Sequence, residues 1–489
     1  MFQTAQNLFA SGWISGVFAF VAISSTIVII CVILSENRNP VKSLAWVTVL
    51  LLLPVVGLIL YIFFGRNIKN TRMISQRNRR KLRSREEKIN VDPKSFGLSS
   101  ATLQQINLGR SLIGAQFYPD NSVEVFNDGA SKFDALKADL KAARNSIHLQ
   151  YFIFENDKIG RELAEILKLK AKEGVSVLLI YDHVGSFHVK ERFFKELRAC
   201  GIEAHPFFKV TFPQLGTRVN WRNHRKICVI DNCIGYIGGM NVADRYIDGG
   251  KNFDFWRDTH VRVTGPVVAA LQYSFAVDWN FMGEGLIDYG KTSVDLSAYQ
   301  IPKDIVNGVG MQLLTSGPTS QWSNIALAFH KAIANASKRV YIHTPYFLPT
   351  ESLLKALQAA ALAHVDVRII IPHHSDSVML TYASASYISE CLRAGIKIYR
   401  YNSGMLHSKL MIIDNEIVSI GSTNFDFRSF DYNFEANMFF FSKDFNARIL
   451  ETFKEDLKNS TRVMPSQWRR RPIKDKIAES IIRLLSPVL

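Results

Sequence analysis

Two short segments of the chain share one arrangement of chemically active residues. Each has a histidine, a lysine two positions later and an aspartate at the end of an apolar run: His224, Lys226 and Asp231, then His407, Lys409 and Asp414. A neutral imidazole can attack phosphorus, and a protonated imidazole can give its proton to a departing alkoxide. Paired histidines and lysines therefore indicate phosphoryl-type transfer, with the motif residues as the candidate catalytic set.

The surroundings of the two copies repeat as well. A glycine turn in each copy leads to an asparagine at the same spacing from the histidine, Asn241 or Asn424, and an acid follows, Asp258 or Glu435. The lysines and asparagines are expected to hold the nonbridging phosphate oxygens, so neither a metal nor a cofactor is predicted. Each acid is expected to accept the far ring N–H of one histidine.

Strand geometry separates the members of each motif. Because side chains two apart on a strand share a face, each histidine and its lysine are predicted to project together. Asp231 and Asp414 fall at the strand end, out of phase with the histidine, in positions typical of turn or ion-pair residues.

The motifs belong to a larger repeat. From about residue 90, β-branched runs alternate with helical patterns, and the order of predicted elements is the same in both halves. The fold class is therefore α/β, with two duplicated modules packed together over residues 111–300 and 301–465. The repeat is far longer than the periods of about 20–50 residues that solenoids show.

The N-terminus is apolar. Residues 1–35 and 43–65 contain no charged side chain, and the segments 13–34 and 44–64 each reach the length needed to cross a bilayer core of about 30 Å. A two-helix transmembrane hairpin is predicted over residues 1–65, in preference to a cleaved signal peptide or a buried hairpin. Residues 66–88 of the following basic linker, 66–110, carry ten lysines and arginines against two glutamates, which predicts a cytoplasmic catalytic part.

The net charge of +16 indicates an anionic partner. A membrane tether favours lipid headgroups over nucleic acid, which is not predicted as a partner.

Residues 466–489 have isoleucines and leucines at helical spacing among cations, a pattern that predicts a basic amphipathic helix in the membrane interface. Packing of that helix on the protein's own core is the alternative. The five cysteines show neither metal-ligand spacing nor a disulfide framework.

The paired motifs with their glycine–asparagine turns resemble the phospholipase D superfamily. Accessory segments around Asn223, Trp256 and Asn424, with the N-terminal apolar pair, are similar to bacterial cardiolipin synthases. The resemblance implies two phospholipase-D-like modules at the bacterial inner membrane that condense two phosphatidylglycerols into cardiolipin and glycerol. It also implies that His224 is the nucleophile and His407 the acid/base, and Ser408, where the family often has alanine, is expected to face solvent.

Three other functions stay open at this point. A membrane phospholipase D would hydrolyse lipid with the same residues, and a related transferase would use another phospholipid or alcohol as acceptor. A non-catalytic scaffold that binds anionic lipid is the third. The oligomeric state has no signal in the sequence.

Overall fold

The computed structural model describes residues 40–61, 73–85, 91–209, 221–287, 296–300 and 304–485, with some positions between 16 and 33. The chain forms two compact units. One comprises residues 1–68 with 210–220, and the other comprises residues 69–209 with 221–489.

In the smaller unit, residues 40–60 form two short helices, α1 (Pro40–Leu52) and α2 (Pro54–Leu60). The helix breaks at Leu53 (φ −134°, ψ 68°), because proline disfavours helical backbone in the residue before it. The second predicted span is thereby corrected to two shorter helices. Across the described residues, no helix combines the length and apolar character that crossing a bilayer requires. The first predicted span, 13–34, lies largely outside the described residues.

The larger unit alternates helices and strands. Its helices are α3 (Gln76–Arg85), α4 (Ser100–Ile113), α5 (Gly129–Ala142), α6 (Lys158–Lys172), α7 (Glu191–Ala199), α8 (Arg245–Asp248), α9 (Val268–Phe281), α10 (Asn324–Ala334), α11 (Glu351–Leu362), α12 (Val378–Arg393), α13 (Phe427–Asp431), α14 (Lys443–Lys458), α15 (Pro465–Arg469) and α16 (Ile473–Leu485). A 3-10 turn covers Pro93–Phe96. Side-chain caps start several helices: Asp157 accepts the N–H of Gly160 at 3.0 Å, which satisfies a donor that the helix leaves unpaired.

The strands follow the same duplicated order. They are β1 (Tyr118–Phe126), β2 (Ser146–Tyr151), β3 (Ser176–Asp182), β4 (Glu203–Phe207), β5 (Arg222–Asn223), β6 (Ile227–Ile230), β7 (Ile234–Gly238), β8 (Trp256–Arg257), β9 (His260–Thr264), β10 (Val306–Ser316), β11 (Arg339–His343), β12 (Phe347–Leu348), β13 (Asp366–Pro372), β14 (Lys397–Tyr401), β15 (Met405–Leu406), β16 (Leu410–Ile413), β17 (Ile417–Gly421), β18 (Phe425–Asp426), β19 (Asn433–Phe441) and β20 (Ser460–Arg462).

One sheet runs through both modules. Its order is β20-β14-β13-β11-β16-β17-β19-β10-β1-β9-β7-β6-β2-β3-β4. Read outward from the antiparallel β1–β10 pair at its centre, the first module gives β9, β7, β6, β2, β3 and β4, and the second gives β19, β17, β16, β11, β13 and β14. The two halves are thus related by an approximate two-fold axis, and the predicted duplicated α/β fold is confirmed.

Apolar side chains fill three layers of this unit. One cluster belongs to the first module and one to the second, each between the sheet and its helices. A third joins the modules, with Val123 and Ile237 from the first and Met311 and Val418 from the second. Burial on both faces explains why the central strands read as continuous apolar runs.

The segment predicted as a basic linker contains packed helices. Leu82 of α3 packs against Ala276 of α9, and Ile106 of α4 is fully buried in the core of the second module. The side chain of Gln105 donates to the carbonyl of Ala328 at 3.1 Å. Basic composition hid these apolar contacts, since only a few residues of each helix face inward.

The C-terminal helix α16 has two different faces. Glu479 is buried, and Arg483 pairs with Glu390 of α12 at 2.6 Å, which fixes one face on the second module. Ile473, Ile477, Ile481 and Leu484 remain between 55% and 81% exposed on the other face. Packing on the protein and an unpartnered apolar stripe therefore occur in the same helix.

Candidate active site

Each histidine lies where a chain segment of one module joins a strand of the other. Strand β5 pairs with the start of β19, and β15 pairs with β8. The backbone N–H of His224 donates to the carbonyl of Phe434 at 2.9 Å, and that of His407 donates to the carbonyl of Arg257 at 2.7 Å. The prediction that each histidine and its lysine lie within one strand is wrong, because both fall in the short connection between two strands.

The two imidazoles are held by carboxylates from opposite modules. His224 Nδ1 lies 3.0 and 3.2 Å from the two carboxylate oxygens of Glu435. His407 Nδ1 lies 2.7 Å from Asp258 Oδ2. The carboxylates can only accept, so each Nδ1 carries hydrogen and each Nε2 keeps its lone pair for chemistry. Both acids were predicted as histidine partners, and the exchange between modules is the new feature.

Further donors hold each carboxylate in place. Glu435 accepts from the Ser422 hydroxyl and from the Asn433 amide at 3.2 Å. Asp258 Oδ1 accepts from the backbone N–H of Thr259 at 2.7 Å. A Cβ on Gly239 would lie 2.1 Å from Asp258 Oδ1, so the glycine turn leaves room for the acid.

The lysines lie beside the histidines. Lys226 Nζ donates to the His224 carbonyl at 2.6 Å. Lys409 Nζ donates to the His407 carbonyl and lies 2.8 Å from His407 Nδ1. Burial lowers the pKa of Lys409 to about 8, and that of Lys226 well below its usual value, to which the Lys409 charge contributes. The charge of Lys409 also lowers the pKa of His224, as expected if both motifs border one site.

Burial and neighbouring charges set the pKa values of the two histidines and of Glu435. It lowers the pKa of His224 and takes that of His407 to about 4, with Lys409 adding to the second shift. For Glu435 burial acts in the opposite direction, but His224 and Lys226 outweigh it and hold the pKa of the carboxyl below its usual value. A neutral imidazole of His224 beside the ionised Glu435 is the form suited to nucleophilic attack.

Known proteins are similar to this chain in sequence. The family model described as "Cardiolipin synthase, PLD-like domain" matches residues 136–279 and 329–457, and one described as "Phospholipase_D-nuclease N-terminal" matches residues 23–66. The major cardiolipin synthase of Bacillus subtilis (strain 168) is 39% identical over 477 residues, 94% of this chain and 96% of that protein. The chain belongs to the cardiolipin synthase family of phospholipase-D-like proteins. The predicted resemblance is thereby confirmed.

Two further proteins are similar to this chain, one in sequence and one in fold. The cardiolipin synthase of Halalkalibacterium halodurans is 38% identical over 490 residues, 98% of this chain and 95% of that protein. The crystal structure of phosphatidylserine synthase from Haemophilus influenzae Rd KW20 superposes with a TM-score of 0.59 at 12% identity, over 79% of this chain and all of that one. This last likeness concerns the fold alone.

The predicted asparagines of this cardiolipin synthase family member have different surroundings. Asn241 is buried, and its amide bonds the backbone N–H of Ile153 at 3.1 Å and the hydroxyl of Tyr246 at 2.5 Å. Asn424 bonds Asp426, and its buried Oδ1 has no partner among the described residues. Asn241 thereby links the segment after β2 to helix α8. Each end of its amide keeps capacity for a second hydrogen bond, so its contact with phosphate stays a prediction.

The motif aspartates lie in turns. Asp231 accepts backbone N–H groups of residues 144–146 at 2.7 to 2.8 Å and the hydroxyl of Tyr299 at 2.6 Å. Asp414 accepts the backbone N–H groups of residues 337–339 at 2.7 to 3.2 Å. Both have positive φ, 49° and 50°. The structure does not bring them to the imidazoles.

A buried guanidinium lies behind each histidine, and sequence reasoning missed both. Arg225 pairs with Asp278 at 2.6 Å and donates to the carbonyl of Glu435 at 3.2 Å. Arg257, next to Asp258, pairs with Asp456 at 2.8 Å. For Asp278 the signal in the sequence was a lone aspartate within the apolar helix α9, since a buried charge requires a partner. Asp456 lies among other charged residues of α14 and gave no such signal.

Ser408 requires a correction. It was expected to face solvent, but it is fully buried and its hydroxyl lies 2.7 Å from that of Thr259. The error came from treating the motif as a simple two-sided strand, whereas this connection is enclosed by both modules.

Aromatic rings surround the histidines unequally. Phe152 lies 5.0 Å from the His224 ring, whereas Trp256, Tyr246 and Tyr346 lie 5.3, 6.0 and 6.3 Å from that of His407. Such rings restrict the orientation of the imidazoles and limit access of water.

Proposed function

We propose that this chain transfers a phosphatidyl group between two phosphatidylglycerol molecules, giving cardiolipin and glycerol. The observation that carries the proposal is the crossed pair of histidine–carboxylate contacts, which ties two imidazoles to the interface of two modules. The family relationship supports the same reaction class, a phosphatidyltransferase.

The first half of the reaction forms a covalent intermediate. His224 Nε2 attacks phosphorus, and the bond between phosphorus and the glycerol oxygen breaks. Protonated His407 gives its Nε2 proton to that oxygen, and glycerol leaves. The pKa of His407, about 4 from burial, rises when a phosphodiester anion binds beside it, because an opposite charge favours the protonated form.

The second half reverses these roles. His407, now neutral, accepts the proton from the terminal hydroxyl of a second phosphatidylglycerol. The hydroxyl oxygen attacks phosphorus, the phosphorus–nitrogen bond breaks, and cardiolipin forms. One phosphodiester replaces another, so the exchange is close to thermoneutral and needs no nucleotide.

The basic side chains stabilise the charge that develops on phosphate. Lys226 and Lys409, which are both buried, provide preorganised donors to the nonbridging oxygens, and low dielectric strengthens the interaction. Glu435 and Asp258 fix the tautomers and stabilise each imidazole when it becomes positive. Asn424 bonds Asp426 and has a free amide oxygen in the described part of the chain, which makes it the second candidate to contact the phosphate group. Asp231 and Asp414 stabilise the turns that end the motifs.

Product analysis tests the reaction. Purified protein in phosphatidylglycerol micelles should release glycerol and form cardiolipin in equal amounts, and H224N should form neither. Release of phosphatidic acid in place of cardiolipin would establish hydrolysis, and products that require an added alcohol or a second phospholipid would establish a different acceptor. Unchanged lipid would favour the non-catalytic scaffold that binds anionic lipid.

We also propose that the protein works at the bacterial inner membrane with its catalytic modules in the cytoplasm. The uncharged N-terminal segments and the basic residues 66–88 support a membrane anchor there. The exposed stripe of α16 supports a second contact, since isoleucines beside Arg469, Arg470 and Lys474 suit an anionic interface.

A vesicle assay tests the second contact. I477D/I481D should weaken binding to phosphatidylglycerol vesicles, because charge enters the apolar stripe, while Q467D, on the neighbouring helix, should not. Equal binding by both variants would assign α16 to packing on the protein alone.

A further inference from the structure

A cavity of about 460 Å³ lies beneath His224, on the side of the sheet where α9 packs. Helix α3 and the end of α4 border it, and strand β10 and the segment after it complete the wall. Arg225 reaches it from the motif, whereas its neighbours His224 and Lys226 contact Glu435 and the active-site backbone. The cavity is therefore adjacent to the catalytic groups without containing either histidine.

The wall is cationic. Arg79 and Arg83 of α3 line it with Arg225, and no described residue of the lining is acidic. Arg225 is neutralised by Asp278, but no carboxylate pairs with Arg79 or Arg83 among the residues that the structure describes. Two positive charges at a concave surface attract an anion, and guanidinium groups match the geometry of phosphate.

Buried hydroxyls point to a polar ligand. Ser274 and Ser316 line the cavity at 4% and 2% exposure, and neither Oγ has a partner in the described part of the chain. Buried hydroxyls are normally hydrogen-bonded. Both Oγ atoms are themselves enclosed, so rotation about χ1 would be needed to bring each of them to an oxygen-rich group in the cavity. Leu112, Val277, Leu313 and Trp322 supply an apolar part of the same wall.

We propose that this cavity binds the phosphate ester of an anionic glycerolipid, at a site separate from the reacting phosphate. The cations hold the phosphate oxygens, the serine hydroxyls bond the ester or glycerol oxygens, and the apolar wall covers the adjoining carbon chain. The proposal concerns binding and goes beyond the transfer reaction proposed above.

The site connects to catalysis through one residue. The Arg225 guanidinium lines the cavity, pairs with Asp278 and donates to the backbone carbonyl of Glu435, whose carboxylate holds His224. An anion that binds the Arg225 guanidinium shifts the backbone carbonyl of Glu435 and with it the His224–Glu435 contact. Lipid bound below the sheet thereby adjusts the nucleophile above it.

Photo-crosslinking tests the binding site directly. The full chain with H224N, which blocks turnover, is placed in phosphatidylcholine nanodiscs that contain a minor fraction of phosphatidylglycerol with a headgroup-proximal diazirine. Labelled peptides are mapped by mass spectrometry. Label is expected on α9 and on the end of β10, and R79Q should reduce it about tenfold, as loss of a charge-assisted hydrogen bond predicts.

Matched variants and competitors decide the result. R80Q removes the same charge from an exposed position on α3 that does not line the cavity, and it should leave the label unchanged. S274L fills the cavity without changing charge and should abolish the label. Displacement by free glycerol phosphate would identify the phosphate ester as sufficient, and displacement only by short-chain phosphatidylglycerol would identify the lipid. Equal labelling of α9 in R79Q and R80Q, or no label there, would overturn the proposal, whatever product the active enzyme forms.

Discussion

The two half-sites share one plan but differ in the details that set reactivity. In the His224 half-site, Glu435 accepts from two side chains besides the imidazole, and one aromatic ring lies against the histidine. In the His407 half-site, Asp258 has one backbone donor besides the imidazole, and three rings surround the histidine. Duplication thus preserved the histidine–acid contact while its surroundings diverged, which is expected if one histidine is the nucleophile and the other the acid/base.

The largest expected effect comes from the histidines themselves. H224N and H407N should each lower kcat at least about 10⁴-fold, because each removes a reacting group. They should differ with phosphatidyl-p-nitrophenol, whose leaving group needs no proton. H407N should release one equivalent of nitrophenol and retain an acid-labile phosphatidyl adduct on His224, detected by mass spectrometry. An adduct on His407 in H224N would exchange the two roles.

The carboxylates test the crossing between modules. E435Q and D258N should lower kcat roughly 10²- to 10⁴-fold, since an amide no longer fixes the tautomer or balances the imidazolium charge. Like H224N, E435Q should give no burst of nitrophenol from phosphatidyl-p-nitrophenol. Like H407N, D258N should still give that burst. The opposite assignment would mean that each acid serves the histidine of its own module in solution.

The exchange of carboxylates between the modules also separates the features that the sequence predicted from those that it could not predict. Repeated motifs predicted the duplicated fold, both histidines, both lysines and the two acids, because local spacing preserves them. The partner of each acid depends on β5 pairing with β19 and β15 with β8, which are contacts between distant segments. The buried Arg225–Asp278 pair and the enclosed Ser408 depend on the same long-range packing, so alternation along one strand could not reveal them.

Removal of one partner from a buried ion pair behind a histidine should lower the free energy of unfolding more than removal of an exposed charge. D278N leaves Arg225 buried without its counter-charge and should cost about 3–5 kcal/mol in the free energy of unfolding. D456N should cost less, because Asp278 also accepts from Gln150 and Asn223. Thermal unfolding in detergent measures both.

The exposed pair of Asp304 and Arg448 provides the control for these variants. D304N should leave the melting temperature nearly unchanged, because exposed ion pairs contribute little to stability. A similar loss in D278N and D304N would show that the buried pair contributes no more than a surface one.

Two buried serines offer a finer comparison of the half-sites. Ser422 donates to the ionised Glu435, so S422A should cost about 1.5–3 kcal/mol in transition-state stabilisation, measured from kcat/KM. Among the described residues, the Ser408 hydroxyl contacts one side chain, the neutral hydroxyl of Thr259, and S408A should cost about 1 kcal/mol or less. A larger loss of kcat/KM in S408A than in S422A would mean that the His407 half-site contributes more to transition-state stabilisation.

The last prediction concerns stability at acidic pH. The pKa of His407 is about 4 in the folded protein and about 6.5 in an unfolded chain, so the unfolded state takes up the proton first as pH falls. The stability that neutral His407 contributes is complete above the unfolded pKa and is lost as pH falls toward the folded one, at no more than about 1.4 kcal/mol for each pH unit. H407N has no such proton to bind, so its melting temperature should fall less than that of the unmodified protein between pH 7 and pH 5. Parallel curves of melting temperature against pH for the two proteins would mean that His407 keeps an ordinary pKa in the folded protein and that burial does not lower it.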